Sequence, residues 1–314
     1  MDTDFGMIAI RLGLYLSLML LVGLAAFPLY ALRHDERPEG QVLSLRWALT
    51  FWSVTAITLS GLGLAALIAA MMGGPLTDID WETSQSILFE TPIGTAWLVR
   101  MAALAVVLMA AFSRRWTDEQ QLGTIALAGA VALSSLVWTG HAGASEGGLG
   151  LIHKLSDMLH MLAAAIWLGG IAAFLLLLRS PLDQHSGRKL VVGHRALEDF
   201  SRVGTICVGI IAVTGLINGQ VLIGFSNILR VFDTTYGQAL FLKLVLVAGM
   251  LLLAARNRWR LTPDLALGLN DGDASSAVAA LRKSLMLEAG AAIAILALVA
   301  WFGMLEPPAS TMGP

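Results

Sequence analysis

Residues 151–178 read LIHKLSDMLHMLAAAIWLGGIAAFLLLL, and how this stretch is read decides the fold. From Met161 onward it holds no charged side chain. A bilayer core of about 30 Å takes roughly 20 apolar residues at 1.5 Å per residue, so the stretch is long enough to cross it as a helix. Its first turns carry His153, Asp157 and His160 at spacing i, i+4, i+7. Such residues fall within about 60° of one helical face, and Ala164 and Trp167 continue that stripe with Met161 at its border. Ionisable groups facing lipid cost several kcal/mol, so this face is expected to turn into a bundle of other helices.

Seven further apolar segments supply the bundle. The expected spans run 5–32, 47–72, 92–112, 122–141, 151–178, 202–224, 238–256 and 283–304, giving an all-α, polytopic bundle of eight helices. The longest expected linkers, 179–201 and 257–282, are too short to fold as separate domains, so residues 1–314 read as a single transmembrane domain. Composition agrees, since 57% of the chain is hydrophobic and only 13% charged, about half the charge of a soluble domain. The first span follows Asp2 and Asp4 with no basic segment ahead of it, and it reads as a retained helix rather than a cleaved leader.

Basic residues set the expected orientation. Arg33, Arg37 and Arg46 lie in the first connection, and Arg114 and Arg115 in the third. Arg179, Arg188, Lys189, Arg195 and Arg202 lie in the fifth, and Arg256, Arg258, Arg260, Arg282 and Lys283 in the seventh. Fifteen of the 20 Lys and Arg residues thus fall in odd-numbered connections, against only Lys154 and Arg230 in the even-numbered ones. The second connection instead carries Asp78, Asp80, Glu82 and Glu90. The odd connections are expected in the cytoplasm and both termini in the periplasm.

Several classes of chemistry are excluded or disfavoured. A lone cysteine, Cys207, leaves no intrachain disulfide and no thiolate metal cluster. The chain has no Gly-rich phosphate loop ending in Gly-Lys-Ser/Thr, so it does not hydrolyse ATP by that route. No catalytic residues are assigned and nothing marks a nucleic-acid partner. What remains is a set of polar side chains inside an apolar bundle. His141, ahead of the turn AGASEGGLG, lies near the outer end of the His153–Asp157–His160 stripe, and neutral imidazole binds copper and zinc. Asp157 can bind metal itself or accept from an imidazole N–H and so fix its tautomer. Thioethers are soft ligands for Cu(I), and Met71, Met72 and Met161 map to the outer half. Arg11, Arg100 and Lys243 enter the spans from the outer end. Arg11 and Lys243 suit snorkelling to headgroups, whereas the deeper Arg100 calls for a carboxylate partner. Asn218 joins the outer polar group, and Glu288 with Asn257 lies toward the inner end.

Four segments carry a family resemblance. GHAGASEGGLGLIHKLSDMLHMLAAAIWLGG (140–170) resembles the CopD signature, in which a GHA segment precedes D-x-L-H-x-L-A-A-x-x-W-x-G-G. FSRVGTICVGIIAVTGLINGQ (200–220) is similar to the family's FSR and TGxxN helix. TTYGQALFLKLVLVAGMLLLAARNRWRLTP (234–263) and LRKSLMLEAGAAIAILALVAWFGMLEPP (281–308) resemble its last two helices. The resemblance covers residues 138 to 308, approximately; the first four spans match in hydrophobicity and number. It implies an inner-membrane component of copper resistance that moves copper from periplasm to cytoplasm and receives it from a periplasmic CopC-like carrier. On this chain the family motif falls on His141, Asp157, His160, Trp167, Asn218, Lys243, Asn257 and Glu288. Cu(I) is the better match to the methionines than Cu(II).

Two other readings share these residues. A b-type cytochrome would bind haem between His141 and His153 or His160 and pass electrons to a periplasmic partner. A scaffold would dock a copper carrier and transport nothing. The deeper polar residues Arg100, Asn218 and Glu288 speak against the scaffold, since docking needs no intramembrane charge.

Overall fold

The computed structural model describes residues 4–75, 77, 79–140, 143, 147–179, 186–224 and 234–305. Among the described residues the chain is helical with no strand, and eight helical segments are long and apolar enough to cross a membrane.

α1 (Phe5–Ala31) starts at Asp4, whose carboxylate accepts from the Met7 amide at 3.0 Å. Such a cap satisfies one of the free N–H groups that every helix start leaves. At the other end Arg37 folds back and donates to the Leu29 and Leu32 carbonyls, satisfying acceptors that the end of the helix leaves open. α2 (Arg46–Met72) stops at Gly73, which takes a left-handed φ of 68°. The short α3 (Trp81–Glu90) is capped by Asp80, and α4 (Pro92–Phe112) by Thr91 with Pro92 in its first turn. α5 (Asp118–Ser134) opens on a Thr117–Gln120 capping box and runs into a 3-10 turn, Ser135–Thr139. Then follow α6 (Gly147–Leu177), α7 (Ser186–Leu222), α8 (Thr235–Arg256), a π-helical turn (Asn257–Leu261), α9 (Thr262–Asp271) and α10 (Ser275–Phe302).

The eight spans stand close to where the hydropathy puts them; the connections differ. Residues 186–201, expected as linker, are the first turns of α7, and 257–282 is helical in three pieces. These stretches are polar enough to look like loops, yet the charged face of a helix that extends past the bilayer needs no apolar residues.

α1 is the central post. Of its apolar window 61% is buried, against 11% for the windows of α7 and of α8. It packs on α6, α5, α2 and α10, while α4 lies on α5 and α2, α7 on α6, and α8 on α10. α1 and α6 cross at Gly23 and Gly169, where a Cβ added at Gly23 would sit 2.1 Å from the Ala165 carbonyl oxygen. Only two glycines permit this backbone approach, the usual device for close helix pairs in lipid. Phe27, Phe174, Leu18, Leu21 and Ile171 fill the adjoining core, with Phe27 edge-on to Phe174 at 5.1 Å.

A polar candidate site between α6, α7 and α8

One face of α6 lies on α7, and its hydroxyl and imidazole groups are tied there. Ser156 Oγ donates to the Thr214 carbonyl at 3.1 Å. His160 Nδ1 lies 2.9 Å from Thr214 Oγ1. That hydroxyl has one proton, which goes to a backbone carbonyl one turn back, 2.6 Å away on Ile210. The Thr214 oxygen therefore accepts, His160 Nδ1 carries the N–H, and Nε2 keeps its lone pair. In this tautomer Nε2 is the nitrogen able to bind a metal.

One turn along each helix, Asn218 Nδ2 donates to Asp157 Oδ1 at 3.3 Å, while the buried Asn218 Oδ1 has no partner among the described residues. α8 supplies the opposite charge: Lys243 is near enough to Asp157 for their charges to interact, as is Tyr236. Lys243 Nζ lies 6.0 Å over the Phe302 ring of α10, and Tyr236 packs edge-on to the same ring at 5.2 Å. Asp157, His160, Asn218 and Lys243 are thus gathered into one polar cluster with an aromatic wall.

Other candidates lie elsewhere. His153 is on the same helix and buried, at 2% exposure. Met161 and Trp167 are buried in the apolar core. Met71 and Met72 are exposed at the end of α2, which packs on α1 and α4 rather than on α6 or α7. His141 and His185 lie outside the described residues; His194, expected in a loop, is on α7. Arg100 is 3% exposed, but the carboxylate expected beside it is not what it meets. Its Nε donates to Ser135 Oγ at 2.9 Å, in the 3-10 turn that ends α5, and the described residues offer it no ion pair. Glu288 is buried on α10, where Asn257 Nδ2 donates to its Oε1. Among the described residues no three His, Cys, Asp or Glu side chains converge as a metal cage. A haem between facing histidines would likewise need His141, because His153 and His160 share one helix. Thr214 was missed by sequence reasoning, although it begins the TGLIN segment at 214–218 and stands one turn before Asn218.

The fold and cluster define a multi-pass membrane bundle with an imidazole–carboxylate–amine group set between its helices. The comparisons give that class a family. Residues 1–151 match the profile described as "Copper resistance protein D-like, N-terminal domain", and residues 194–302 match "Copper resistance protein D". Copper resistance protein D of Pseudomonas syringae pv. tomato is 36% identical over 305 residues, 96% of each chain. Inner membrane protein YebZ of Escherichia coli (strain K12) is 28% identical over 83% of this chain and 86% of its own. Copper transport protein CutJ of Bacillus subtilis (strain 168) is 31% identical over 80% of this chain and 46% of its own. No solved structure matches. The chain belongs to the copper resistance protein D family, and the likeness extends to the first four spans, where the sequence motifs gave only hydrophobicity.

Proposed function

We propose that this protein carries copper from periplasm to cytoplasm across the bacterial inner membrane, through an outer site that includes His160. The observation that carries this reading is the His160–Thr214 pair, which leaves an imidazole Nε2 lone pair free beside Asp157 and Lys243 in a chain of this family. His141 completes the site in this reading, and His153, Met161, Met71 and Met72 serve as further donors along the approach. Asp157, Asn218 and Lys243 hold the charge balance around the imidazole; Arg100, Trp167 and Glu288 belong to the path beyond. Cu(I) is the species carried, handed over by a CopC-like periplasmic carrier. Both termini face the periplasm.

The test is uptake of copper into proteoliposomes. Wild-type protein is expected to load the vesicles well above protein-free lipid, and His160→Ala to bring uptake near that background. Full uptake by His160→Ala would remove His160 from the route; none by the wild type would end the transport reading.

A further inference from the structure

A second group of buried oxygens lies between α8 and α10, away from the histidine. Glu288 is 2% exposed at the middle of α10, and Ser284, four residues earlier and so on the same face, is equally buried. Asn257 opens the π-helical turn after α8 and donates through Nδ2 to Glu288 Oε1. π-turns widen the helix locally and recur at functional sites. Asn257 Oδ1 and Ser284 Oγ are buried without a partner among the described residues. Glu288 has no ion pair among the described residues. Measured along α8, Asn257 lies about 20 Å from Lys243, so this group stands at a different level from the His160 cluster.

A carboxylate in such an interior is expensive unless a cation neutralises it, and no side chain among the described residues pairs with it. The available donors are oxygens alone: a carboxyl, an amide carbonyl and a hydroxyl. Oxygen sets suit hard cations and are poor ligands for soft Cu(I). We infer that Glu288, Asn257 and Ser284 form an exchangeable site for a hard monovalent cation, a proton or a sodium ion. The site stands on this geometry; its role as the coupling ion for copper rests on the transport reading above.

Two measurements test it. A hydrophobic carbodiimide adds only to a protonated carboxyl, so Glu288 in the purified wild-type protein should be modified, more at about pH 5 than at about pH 8. If sodium is the occupant, saturating sodium should slow the modification about tenfold relative to potassium; a proton site shows no such difference. Glu288 left unmodified throughout, or modified independently of both pH and sodium, overturns the site. In proteoliposomes, Glu288→Gln keeps the size and a hydrogen-bonding group. It should retain copper binding while uptake stops responding to an imposed proton or sodium gradient. Loss of copper binding along with uptake assigns Glu288 to structure and overturns the coupling role, as does uptake that still follows the gradient. Wild-type protein that is modified as expected yet moves no copper would sink the transport reading alone.

Discussion

At Thr214 a single hydroxyl settles which nitrogen of His160 is left open. Its proton is committed to the α7 backbone, so it can only accept from the imidazole. Asp157 is the neighbouring residue with two masters, the Asn218 amide and the Lys243 charge. If it also sets the charge around bound copper, Asp157→Asn should weaken copper affinity roughly 10–100-fold, as changes next to a ligand do, with the folded yield kept. Titration and thermal melting of one preparation separate the roles: a lower Tm with unchanged affinity would make Asp157 only the counter-charge of Lys243. Glu36 poses a different test, outside the bilayer, in the turn after α1. Burial pushes its carboxyl up, but the two hydrogen bonds from Arg195 and one from the Arg33 amide outweigh that and hold it below its ordinary value. A lowered carboxyl stabilises the fold fully above the unfolded value, near 4.3, and loses that contribution as pH falls through the folded one. The Tm of detergent-solubilised protein should therefore drop from about pH 5 downward, and Glu36→Gln should flatten that part of the curve. Removing this partner should cost about 2 kcal/mol, less than a fully buried pair because Arg195 keeps some exposure.

Among the elements, the α1–α6 pair carries the fold, and its crossing is set by Gly23 against Gly169. Gly23→Ala puts a methyl into the Ala165 carbonyl, so the helices must separate; overpacking of this kind costs about 1–3 kcal/mol. Gly61→Ala on α2, where a Cβ meets nothing within 4 Å, is the control and should leave the Tm unchanged or slightly raised. Equal effects of the two would deny the crossing its role. Hydropathy was enough to place the spans, because about 20 apolar residues in a row have few other uses. It could not show the crossing, since a glycine at an interface and a glycine facing lipid look alike in sequence. Nor could it show that α7 begins at Ser186: the added turns carry Arg188, Lys189, His194 and Arg195, which look like a solvated loop until their helical face is seen. The site was legible in part. The spacing of Asp157 and His160 put them on one face and the hydropathy put Asn218 at their level, but Thr214 and the two pairings follow only from the register of α6 on α7. Arg100 was read by charge, and its actual partner Ser135 has none to read.

Over the whole molecule, the ion pairs show which connections share an end. Arg37 and His34, after α1, pair with Glu119 at the start of α5 at 2.8 and 3.3 Å. Arg195 and Arg188 on α7 pair with Glu36 and Asp35 of that same first connection. Arg258, after α8, donates to Thr205 of α7 at 3.0 Å. The first, third and fifth connections are therefore fastened at one end, the arrangement that eight alternating crossings require, and this is the end where Lys and Arg concentrate. By the positive-inside rule that end is expected to face the cytoplasm. The one native cysteine, Cys207, is buried, so single introduced cysteines can report the side. Asp271→Cys and Arg179→Cys, both exposed at the basic end, should react with an impermeant maleimide only in inverted vesicles. Glu82→Cys on α3 and Glu146→Cys should react only in right-side-out spheroplasts, because eight alternating crossings put the even-numbered connections at the end opposite the basic one. Labelling of Glu146→Cys solely in inverted vesicles, with Asp271→Cys solely in spheroplasts, would turn the protein over. The His160 cluster would then open toward the cytoplasm, and the import direction proposed for copper would have to be reversed.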